Sequence, residues 1–318
     1  MVRLLVSRKL TDDVMAQLAA EFDMQLRETT APMSADEVSA ALADYDAILP
    51  TLGDQFTAEA INRVQQPRCR ILANFGVGYN HIDTVAAAAK GITVTNTPGA
   101  VTDATADIAM ALMLMGARRA SQGERLLRRG DWQGWHPVQL LGMHLGGKTV
   151  GIIGMGRIGQ AIAKRCHAGF GMNVLFYNRS PKADIGVPAR QIEHMRQLLA
   201  VADVVVLAVP GSAQTHHLMD AQALGQMQSH AHLINISRGD VIDETALIRA
   251  LSHGQIAGAG LDVYEHEPHI PDALRGLENV VLLPHLGTNS YEVRSNMGQM
   301  ARANLQAFFA GREPENTV

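Results

Sequence analysis

Short apolar runs alternate along the chain with longer segments whose apolar positions recur every three or four residues. In the first third, the runs that predict strands are 2–6, 47–49, 71–74 and 92–94. The segments between them that predict amphipathic helices are 11–21, 34–43 and 83–90. One of these helices begins with a capping-box pattern, Ser34 followed by Glu37. Such alternation is typical of parallel βαβ units with helices on both faces of a sheet.

A second series of elements follows a break in this pattern. Pro98 and Gly99 end the first series, and the segment 101–120 after them is apolar nearly all round, which predicts a buried helix. Further strands are predicted at 149–154, 174–177, 204–209, 232–236, 257–262 and 280–283, and a last helix at 289–311. Six strands with intervening helices are what a complete dinucleotide-binding half requires. We therefore predict the α/β class, with a central domain flanked in sequence by the two parts of another.

The composition narrows the class of protein. The 318 residues are 47% hydrophobic and 18% charged, and 27 Lys and Arg against 31 Asp and Glu give a formal net charge of −4. This near-balance lacks the basic excess that attracts nucleic acid or an anionic membrane. The two cysteines, Cys69 and Cys166, have no CxxC spacing, and no apolar stretch is long enough for a membrane span. We expect a cytoplasmic protein with no nucleic-acid partner, no membrane partner and no metal.

A glycine-rich motif points to a cofactor. Gly154, Gly156 and Gly159 form a GxGxxG pattern that directly follows a predicted strand and opens a predicted helix at 157–169. In that setting Gly154 permits a tight turn, Gly156 lets a pyrophosphate approach the backbone, and Gly159 lets helix and strand pack closely. The alternative is a purely structural strand-to-helix turn. The motif predicts that the central domain binds a dinucleotide.

The turn after the next predicted strand indicates which dinucleotide. About 20 residues after the glycine motif, NAD enzymes usually carry a carboxylate for the ribose 2′-hydroxyl. Here the turn contains Asn178, Arg179, Ser180 and Lys182 and holds no carboxylate. Arg179, Ser180 and Lys182 can instead donate to a 2′-phosphate. We therefore predict a preference for NADP(H), with NAD(H) left open; the alternative is that the turn is only a solvated surface.

Polar residues recur at the predicted carboxyl ends of the later strands, where doubly wound folds bind ligands. Arg238 follows the strand at 232–236, Glu267 lies in the loop after Asp262, and His285 follows the strand at 280–283. Each has an ordinary structural role available to it, as a surface arginine, a loop carboxylate or a capping histidine. Together, downstream of a nucleotide-binding turn, they predict a catalytic centre.

Two histidine-containing stretches raise the question of a metal site. His216 and His217 are adjacent, and adjacent residues on a helix do not face the same way, so they are not expected to bind a metal together. The stretch 265–269 reads Glu-His-Glu-Pro-His. We interpret it as a hydrophilic loop that carries one catalytic glutamate, with a metal site as the weaker alternative.

Arg238, Asp262, Glu267 and His285 in this framework resemble the signature of the D-isomer-specific 2-hydroxyacid dehydrogenases, and the resemblance extends over essentially the whole chain. Further segments resemble the family's substrate-carboxylate loop, its linker and the start of its dimerisation helix: 75–83, 96–99 and 101–107. Within the family, the glyoxylate/hydroxypyruvate reductases are most similar, on the segments 130–135, 145–149 and 178–180.

The pattern and the resemblance together imply two doubly wound parallel-sheet domains, Rossmann-like or flavodoxin-like, with the cofactor domain inserted in the substrate domain. Residues 1–99 and 287–318 would form the substrate (catalytic) domain. Residues 100–286 would form the NAD(P)-binding Rossmann domain, including the dimerisation helix. A homodimer is implied as well.

The resemblance also implies a role for each catalytic candidate. Arg238 would hold the carboxylate and the keto oxygen of the substrate, which suits its planar guanidinium. His285 would give a proton to the carbonyl oxygen as hydride arrives from the nicotinamide, and Glu267 would orient the imidazole. The implied reaction is the NADPH-preferring reduction of small 2-keto acids, glyoxylate or hydroxypyruvate, to D-2-hydroxy acids.

Other residues would hold the substrate and the cofactor. The backbone N–H groups of Gly53, Val77 and Gly78 would bind the substrate carboxylate. Trp135 would either reach toward the active site of the other subunit and favour small substrates, or fill the dimer core. The remaining cofactor contacts are implied to be Thr105, Met155, Arg157, Ile158, Val209, Pro210, Thr215, Ile236, Ser237, Asp262 and Gly287.

Two other interpretations stay open. Other D-2-hydroxyacid dehydrogenases, or a phosphite dehydrogenase, using NAD share this framework, whereas a formate enzyme would be expected to carry Gln in place of Glu267. A dinucleotide sensor of the same fold could keep Arg238, Glu267 and His285 without turnover, because fold alone does not establish function.

Overall fold

The computed structural model describes residues 1–318, and the chain divides into two units. The first unit comprises Met1–Val101 and Asn289–Val318, and the second, Thr102–Thr288, is inserted in its sequence. The boundaries predicted from the sequence are 1–99 with 287–318 for one domain and 100–286 for the other. Their assignment to substrate and to cofactor stays a prediction.

Twelve strands and twelve α-helices alternate along the chain. The strands are β1 (Arg3–Val6), β2 (Asp23–Leu26), β3 (Ala47–Leu49), β4 (Ile71–Ala73), β5 (Thr93–Thr95), β6 (Thr149–Ile153), β7 (Asn173–Tyr177), β8 (Ala189–Gln191), β9 (Val204–Leu207), β10 (His232–Asn235), β11 (Gly258–Leu261) and β12 (Val280–Leu282). The helices are α1 (Asp12–Glu21), α2 (Ala35–Asp44), α3 (Ala58–Asn62), α4 (Thr84–Ala89), α5 (Thr102–Ala117), α6 (Ala120–Arg129), α7 (Arg157–Phe170), α8 (Met195–Leu199), α9 (Ala221–Leu224), α10 (Glu244–Ser252), α11 (Asp272–Arg275) and α12 (Tyr291–Phe309).

The first unit is built on a five-stranded parallel sheet, here the first sheet, with the order β2-β1-β3-β4-β5. Successive residues of a strand face opposite sides, so Leu4 packs with α1 and α12 while Leu5 packs with α2 on the other side. The capping box predicted for α2 is confirmed. Ser34 Oγ accepts from the backbone N–H of Glu37 at 3.3 Å, and Glu37 Oε2 accepts from the backbone N–H of Ser34 at 2.8 Å.

The second unit is built on a seven-stranded parallel sheet, here the second sheet, with the order β12-β11-β10-β9-β6-β7-β8. Helix α5 lies buried on this sheet through Ala106, Ala109, Leu112 and Met113, as its all-round apolar sequence predicts. It ends at Ala117, and α6 begins three residues later. Two parallel sheets with helices on both faces confirm the predicted α/β class. No helix in the structure is long and apolar enough to cross a membrane.

The sequence pattern does not predict β2 or β8. Both are edge strands, pairing only with β1 and β7 respectively. In β2 the side chains of Asp23 and Gln25 are exposed, and β8 is the short polar stretch Ala-Arg-Gln. Neither strand has the β-branched or aromatic residues that mark a strand in sequence, so the neighbouring strand determines its conformation.

Candidate active site

The three side chains predicted to be catalytic lie at one edge of the second sheet. Parallel strands share a carboxyl edge, so the loops after β10, β11 and β12 lie side by side there. Arg238 follows β10, Glu267 lies in the loop after β11, and His285 follows β12. The structure therefore brings the three together within the second unit.

His285 and Glu267 form a hydrogen-bonded pair. Nδ1 of His285 lies 2.9 Å from Oε2 of Glu267, and Oε1 of Glu267 accepts from the backbone N–H of Tyr264 at 3.0 Å. Burial alone would raise the pKa of Glu267, but the hydrogen bond with His285 and the charge of Arg238 hold that pKa below its usual value. Because Nδ1 faces Glu267, Nε2 is the imidazole nitrogen that is left for a ligand.

Asp262 holds the turn that carries His285. The Asp262 side chain is 1% exposed and accepts from the backbone N–H groups of Leu286 at 2.6 Å and Gly287 at 2.8 Å. Burial raises the pKa of this carboxyl, although the two N–H groups oppose that effect. His285 itself has a φ of 53°, a left-handed conformation that is uncommon outside glycine. The implied contact of Asp262 with the cofactor stays a prediction.

Gly239 explains how Arg238 comes close to the loop of Glu267. A Cβ at Gly239 would lie 1.8 Å from the backbone carbonyl carbon of Tyr264, so only glycine permits this approach. Nη1 of Arg238 donates to the carbonyl of Ser237 at 2.7 Å, which fixes one side of the guanidinium. Burial lowers the pKa of Arg238, and the attraction of Glu267 opposes that effect. The result is a half-buried cation next to the His285–Glu267 pair.

The glycine-rich turn has the geometry that a dinucleotide pyrophosphate requires. Gly154 has a φ of 97°, and a Cβ there would lie 2.5 Å from the carbonyl oxygen of Ala208. A Cβ at Gly159 would lie 2.2 Å from the carbonyl oxygen of Gly154, so α7 packs directly on the turn. A Cβ at Gly156 would contact nothing within 4 Å, so the N-terminus of α7 is open to a ligand. The residues present therefore fit a dinucleotide.

Asn178 ties the turn after β7 to this glycine-rich turn. Its Oδ1 accepts from the backbone N–H of Met155 at 3.0 Å, and its Nδ2 donates to the carbonyl of Ser180 at 2.8 Å. Gln191 on the unpredicted strand β8 supports the turn by donating to the carbonyl of Asn178 at 3.2 Å. Arg179 and Lys182 are exposed there. The turn thus presents two cations and no carboxylate at the end of β7.

The other predicted cofactor residues lie along the same edge of the second sheet. Thr105 at the start of α5 donates through Oγ1 to the carbonyl of Gly287 at 3.1 Å, and Oγ1 of Thr215 donates to the carbonyl of Pro210 at 2.7 Å. The remainder follow β6, β9 or β10 directly and are Met155, Arg157, Ile158, Val209, Ile236 and Ser237. Their contacts with a cofactor stay predictions.

The loop predicted to bind the substrate carboxylate belongs to the first unit and follows β4. Nδ2 of Asn74 donates to the carbonyls of Gly76 and Gly78, at 3.1 Å each, and Nδ2 of Asn96 donates to the carbonyl of Val77 at 2.9 Å. The backbone N–H groups of Val77 and Gly78 donate to no acceptor within the protein. Because the carbonyls are held by these amides, the N–H groups are left available to an anion.

Asn74 and Asn96 are positioning residues that the sequence analysis does not identify. It treats Asn74 as the last residue of a strand and Asn96 as part of a linker. The available signal is an asparagine directly after each of two adjacent parallel strands, β4 and β5. Gly53, the third residue predicted to bind the carboxylate, lies in the turn after β3 at the same edge and has a φ of 97°.

Trp135 lies between α6 and β6, and 80% of it is exposed in the single chain. It therefore fills no core within this chain, and its two predicted roles toward a second subunit stay predictions.

The predicted helical placement of His216 and His217 is wrong, because both lie in a turn after β9 with ring centroids 3.9 Å apart. No group of three His, Cys, Asp or Glu side chains in the structure is arranged to hold a metal ion.

Residues 110–287 match the family model described as D-isomer specific 2-hydroxyacid dehydrogenase, NAD binding domain. A glyoxylate reductase of Korarchaeum cryptofilum is 42% identical to this chain, over 99% of this chain and 95% of the relative. A Polaromonas crystal structure described as a D-isomer specific 2-hydroxyacid dehydrogenase is 35% identical, with a TM-score of 0.93 over 100% of this chain and 99% of that one. An NADPH-dependent glyoxylate/hydroxypyruvate reductase of Sinorhizobium meliloti, solved with NADP and malonate, is 37% identical, with a TM-score of 0.88 over 100% and 96% of the two chains.

The similarity covers both units and is strong in sequence as well as in fold. It confirms the resemblance that Arg238, Asp262, Glu267 and His285 suggested, and with it the prediction of an NAD(P)-dependent oxidoreductase. Since the family model spans more than half of the chain and full-length relatives reach 42% identity, the chain belongs to the D-isomer specific 2-hydroxyacid dehydrogenases.

Proposed function

We propose that the protein is an NADPH-preferring reductase that converts small 2-keto acids, above all glyoxylate and hydroxypyruvate, to D-2-hydroxy acids. The observation that carries the proposal is the His285–Glu267 pair, 2.9 Å apart, beside Arg238 at the edge that also carries the dinucleotide turn. Reduction of a carbonyl by hydride needs a proton donor, a cation near the oxygen and a nicotinamide site. The names of similar proteins, glyoxylate reductases among them, support this choice of substrate.

The three side chains divide the work at the carbonyl group. Bound NADPH would supply a hydride to the carbonyl carbon. Arg238 would bind the keto oxygen and polarise the carbonyl, because its planar donors match a pair of oxygens. His285 would donate a proton from Nε2 to the same oxygen, while Glu267 keeps the ring oriented through Nδ1. In the reverse direction Nε2 would accept that proton from the hydroxy acid.

The carboxylate that all 2-keto acids share would bind to backbone rather than to side chains. The N–H groups of Val77 and Gly78 are candidates because their carbonyls are already held by asparagine amides. Gly53 would add a further N–H group from the neighbouring turn. Such binding is independent of what lies beyond the keto group, so it fixes the orientation of the substrate and leaves its size to other residues.

The cofactor preference rests on the turn after β7. Arg179, Ser180 and Lys182 would donate to the 2′-phosphate of NADPH, and a carboxylate that would repel that phosphate is missing there. The pyrophosphate would lie against Gly156 at the open N-terminus of α7. The Sinorhizobium relative, which was solved with NADP, supports the same cofactor.

A homodimer is part of the proposal. Large apolar side chains that are at least half exposed lie close together in sequence, one in α6 and four between α6 and β6, at the residues Leu127, Trp132, Trp135, Val138 and Leu141. Exposed apolar side chains grouped in this way are typical of a protein interface. We place Trp135 at that interface, so Trp135→Ala should shift the sedimentation coefficient from that of a dimer toward that of a monomer.

The test is the loss of NADPH absorbance with glyoxylate, hydroxypyruvate, pyruvate and phenylpyruvate, repeated with NADH. Rapid turnover of the first two acids with NADPH is expected. Equal turnover with NADH would contradict the proposal that the turn after β7 binds the 2′-phosphate. A preference for phenylpyruvate would contradict the proposal that the substrates are small. Tight NADPH binding without any turnover would replace the reductase by a dinucleotide sensor.

A further inference from the structure

Arg8 occupies an unusual position at the carboxyl edge of the first sheet. It follows β1, and only 18% of its side chain is exposed. Nη1 lies 2.9 Å from Oδ1 of Asp54 and also donates to Oγ1 of Thr51, and Nε donates to the carbonyl of Thr30 at 2.8 Å. The third guanidinium nitrogen, Nη2, donates to no acceptor within the protein. A guanidinium that is fixed on two sides therefore keeps one free nitrogen.

That free nitrogen lies beside the turn that is proposed to hold the substrate. Nη2 is 3.7 Å from the point where a Cβ of Gly53 would stand. Thr51, which accepts from Arg8, forms a β-bridge with Phe75, the residue just before the 76–78 loop. The two proposed carboxylate-binding segments of the first unit and Nη2 of Arg8 thus belong to one continuous edge.

The charge of Arg8 is already balanced. Asp54 is 0% exposed, and beyond Arg8 it accepts from the backbone N–H groups of Met33 at 3.1 Å and Thr51 at 2.9 Å. A buried carboxylate needs a cation this close, so Arg8 and Asp54 form a pair without net charge. Nη2 consequently offers two N–H donors but little surplus positive charge. Such a donor suits a neutral hydroxyl oxygen better than a second carboxylate.

We propose that Arg8 determines substrate specificity by donating from Nη2 to the hydroxyl oxygen on C3 of a 3-hydroxy-2-keto acid. The inference rests on the proposed function and deepens it. It makes hydroxypyruvate the preferred substrate, above pyruvate, which has a methyl group in the same place, and above ketomalonate, which carries a second carboxylate there. Because Arg8 is already immobilised by Asp54 and Thr30, the hydrogen bond costs little additional conformational entropy.

The experiment compares kcat/KM for hydroxypyruvate and for pyruvate, with NADPH, in the unaltered protein, in Arg8→Lys and in Arg27→Lys. Lysine keeps a cation next to Asp54 but has no second nitrogen to aim past Gly53. Arg27 is the matched control, since it bonds Glu37 and the carbonyls of Thr29 and Ala31 within the same unit. Unfolding temperatures of the three proteins show whether each is folded.

Arg8→Lys should lower the ratio of kcat/KM for hydroxypyruvate over pyruvate by about tenfold, the effect of one hydrogen bond. The loss should lie mainly in KM for hydroxypyruvate, and Arg27→Lys should leave the ratio unchanged. An unchanged ratio in a folded Arg8→Lys protein would overturn the inference.

A second measurement does not depend on the folding of a variant. The unaltered protein should prefer hydroxypyruvate to both pyruvate and ketomalonate, and equal kcat/KM values for hydroxypyruvate and pyruvate would overturn the role of Arg8 while leaving the reductase intact. Turnover of none of the three acids would instead remove the proposed function, and the inference with it.

Discussion

The carboxyl edges of the two sheets present different chemistry. The edge of the second sheet presents ionisable side chains, with His285 and Glu267 paired at 2.9 Å next to the half-buried Arg238. The edge of the first sheet presents mainly backbone N–H groups, at Val77 and Gly78, with Arg8 as its one proposed side-chain donor. Both edges consist of loops that follow parallel strands, so the difference lies in which atoms those loops expose.

This difference decides what a sequence reveals. Proton transfer and the polarisation of a carbonyl need particular side chains, so Arg238, Glu267 and His285 can be recognised from residue type and spacing. An N–H group is present at nearly every residue, and its use depends on where the neighbouring carbonyl points. The side-chain amides of Asn74 and Asn96 determine that orientation in the first unit, and neither residue belongs to a motif that would predict this role.

The largest effect should come from a change at the edge of the second sheet, which presents the ionisable side chains. His285→Ala removes the proposed proton donor, so kcat for glyoxylate with NADPH should fall by about two to four orders of magnitude. NADPH binding, measured by fluorescence, should persist because the dinucleotide turn is unchanged. His253→Ala is the control, since His253 follows α10 and bonds only the carbonyl of Arg249. Near-normal turnover by His285→Ala would show that the reaction does not depend on His285 as a proton donor.

The cofactor turn should give the next largest effect. Arg179→Asp places a carboxylate where the 2′-phosphate of NADPH is proposed to bind. The ratio of kcat/KM with NADPH over NADH should fall by about 10- to 100-fold, the loss expected for one or two charge-assisted hydrogen bonds. Arg190→Asp is a matched control, because Arg190 is the exposed residue of β8. A selectivity that does not change would show that the turn is only a solvated surface.

A change at the edge of the first sheet, which presents backbone N–H groups, should have a smaller effect, on binding. Asn74→Ala removes both hydrogen bonds that hold the carbonyls of Gly76 and Gly78, so the N–H groups between them lose their orientation. KM for glyoxylate should rise by about tenfold, with kcat changed much less, because the loop is proposed to bind and not to react. Asn279→Ala is the control, since its amide also bonds two carbonyls, those of Leu251 and Ala257 in the second unit. A KM that stays constant would contradict the backbone mode of binding.

The strands also differ in whether the sequence predicts them. Ten of the twelve strands are predicted because buried parallel strands need continuous apolar runs, as in Val204–Leu207. The edge strands β2 and β8 have one free side each and little apolar sequence, so only pairing with a neighbour reveals them. That omission matters for the site, since Gln191 on β8 supports Asn178 and could not be placed without the strand.

The candidate site was predictable wherever the chemistry needs a rare residue type or a forced glycine. Gly154 and Gly159 are forced by contacts of 2.5 Å and 2.2 Å that a Cβ would make, and the sequence motif records that requirement. Gly239 is forced in the same way, but it belongs to no motif and was not predicted. Arg8 was missed because a single arginine after a strand has many structural uses, and only the position of Nη2 beside Gly53 distinguishes it.

The smallest expected effect concerns stability, and it tests whether Glu267 is held as a carboxylate. Its pKa is below the usual value because, although burial raises it, the bond with His285 and the charge of Arg238 lower it more. A depressed folded-state pKa means that the unfolded chain binds the proton more tightly. The carboxylate therefore contributes stability above the ordinary glutamate value of 4.5, and that contribution is lost as the pH falls through the lower, folded value.

Glu267→Gln isolates this contribution, since glutamine keeps the shape of the side chain and does not titrate in this range. The difference in free energy of unfolding between the unaltered protein and Glu267→Gln, measured by urea denaturation, should shrink as the pH is lowered below 4.5. Two stability curves that run parallel through this range would mean that the pairing with His285 does not favour the charged carboxylate. Glu267 and His285 would then be held at the edge of the second sheet by geometry alone.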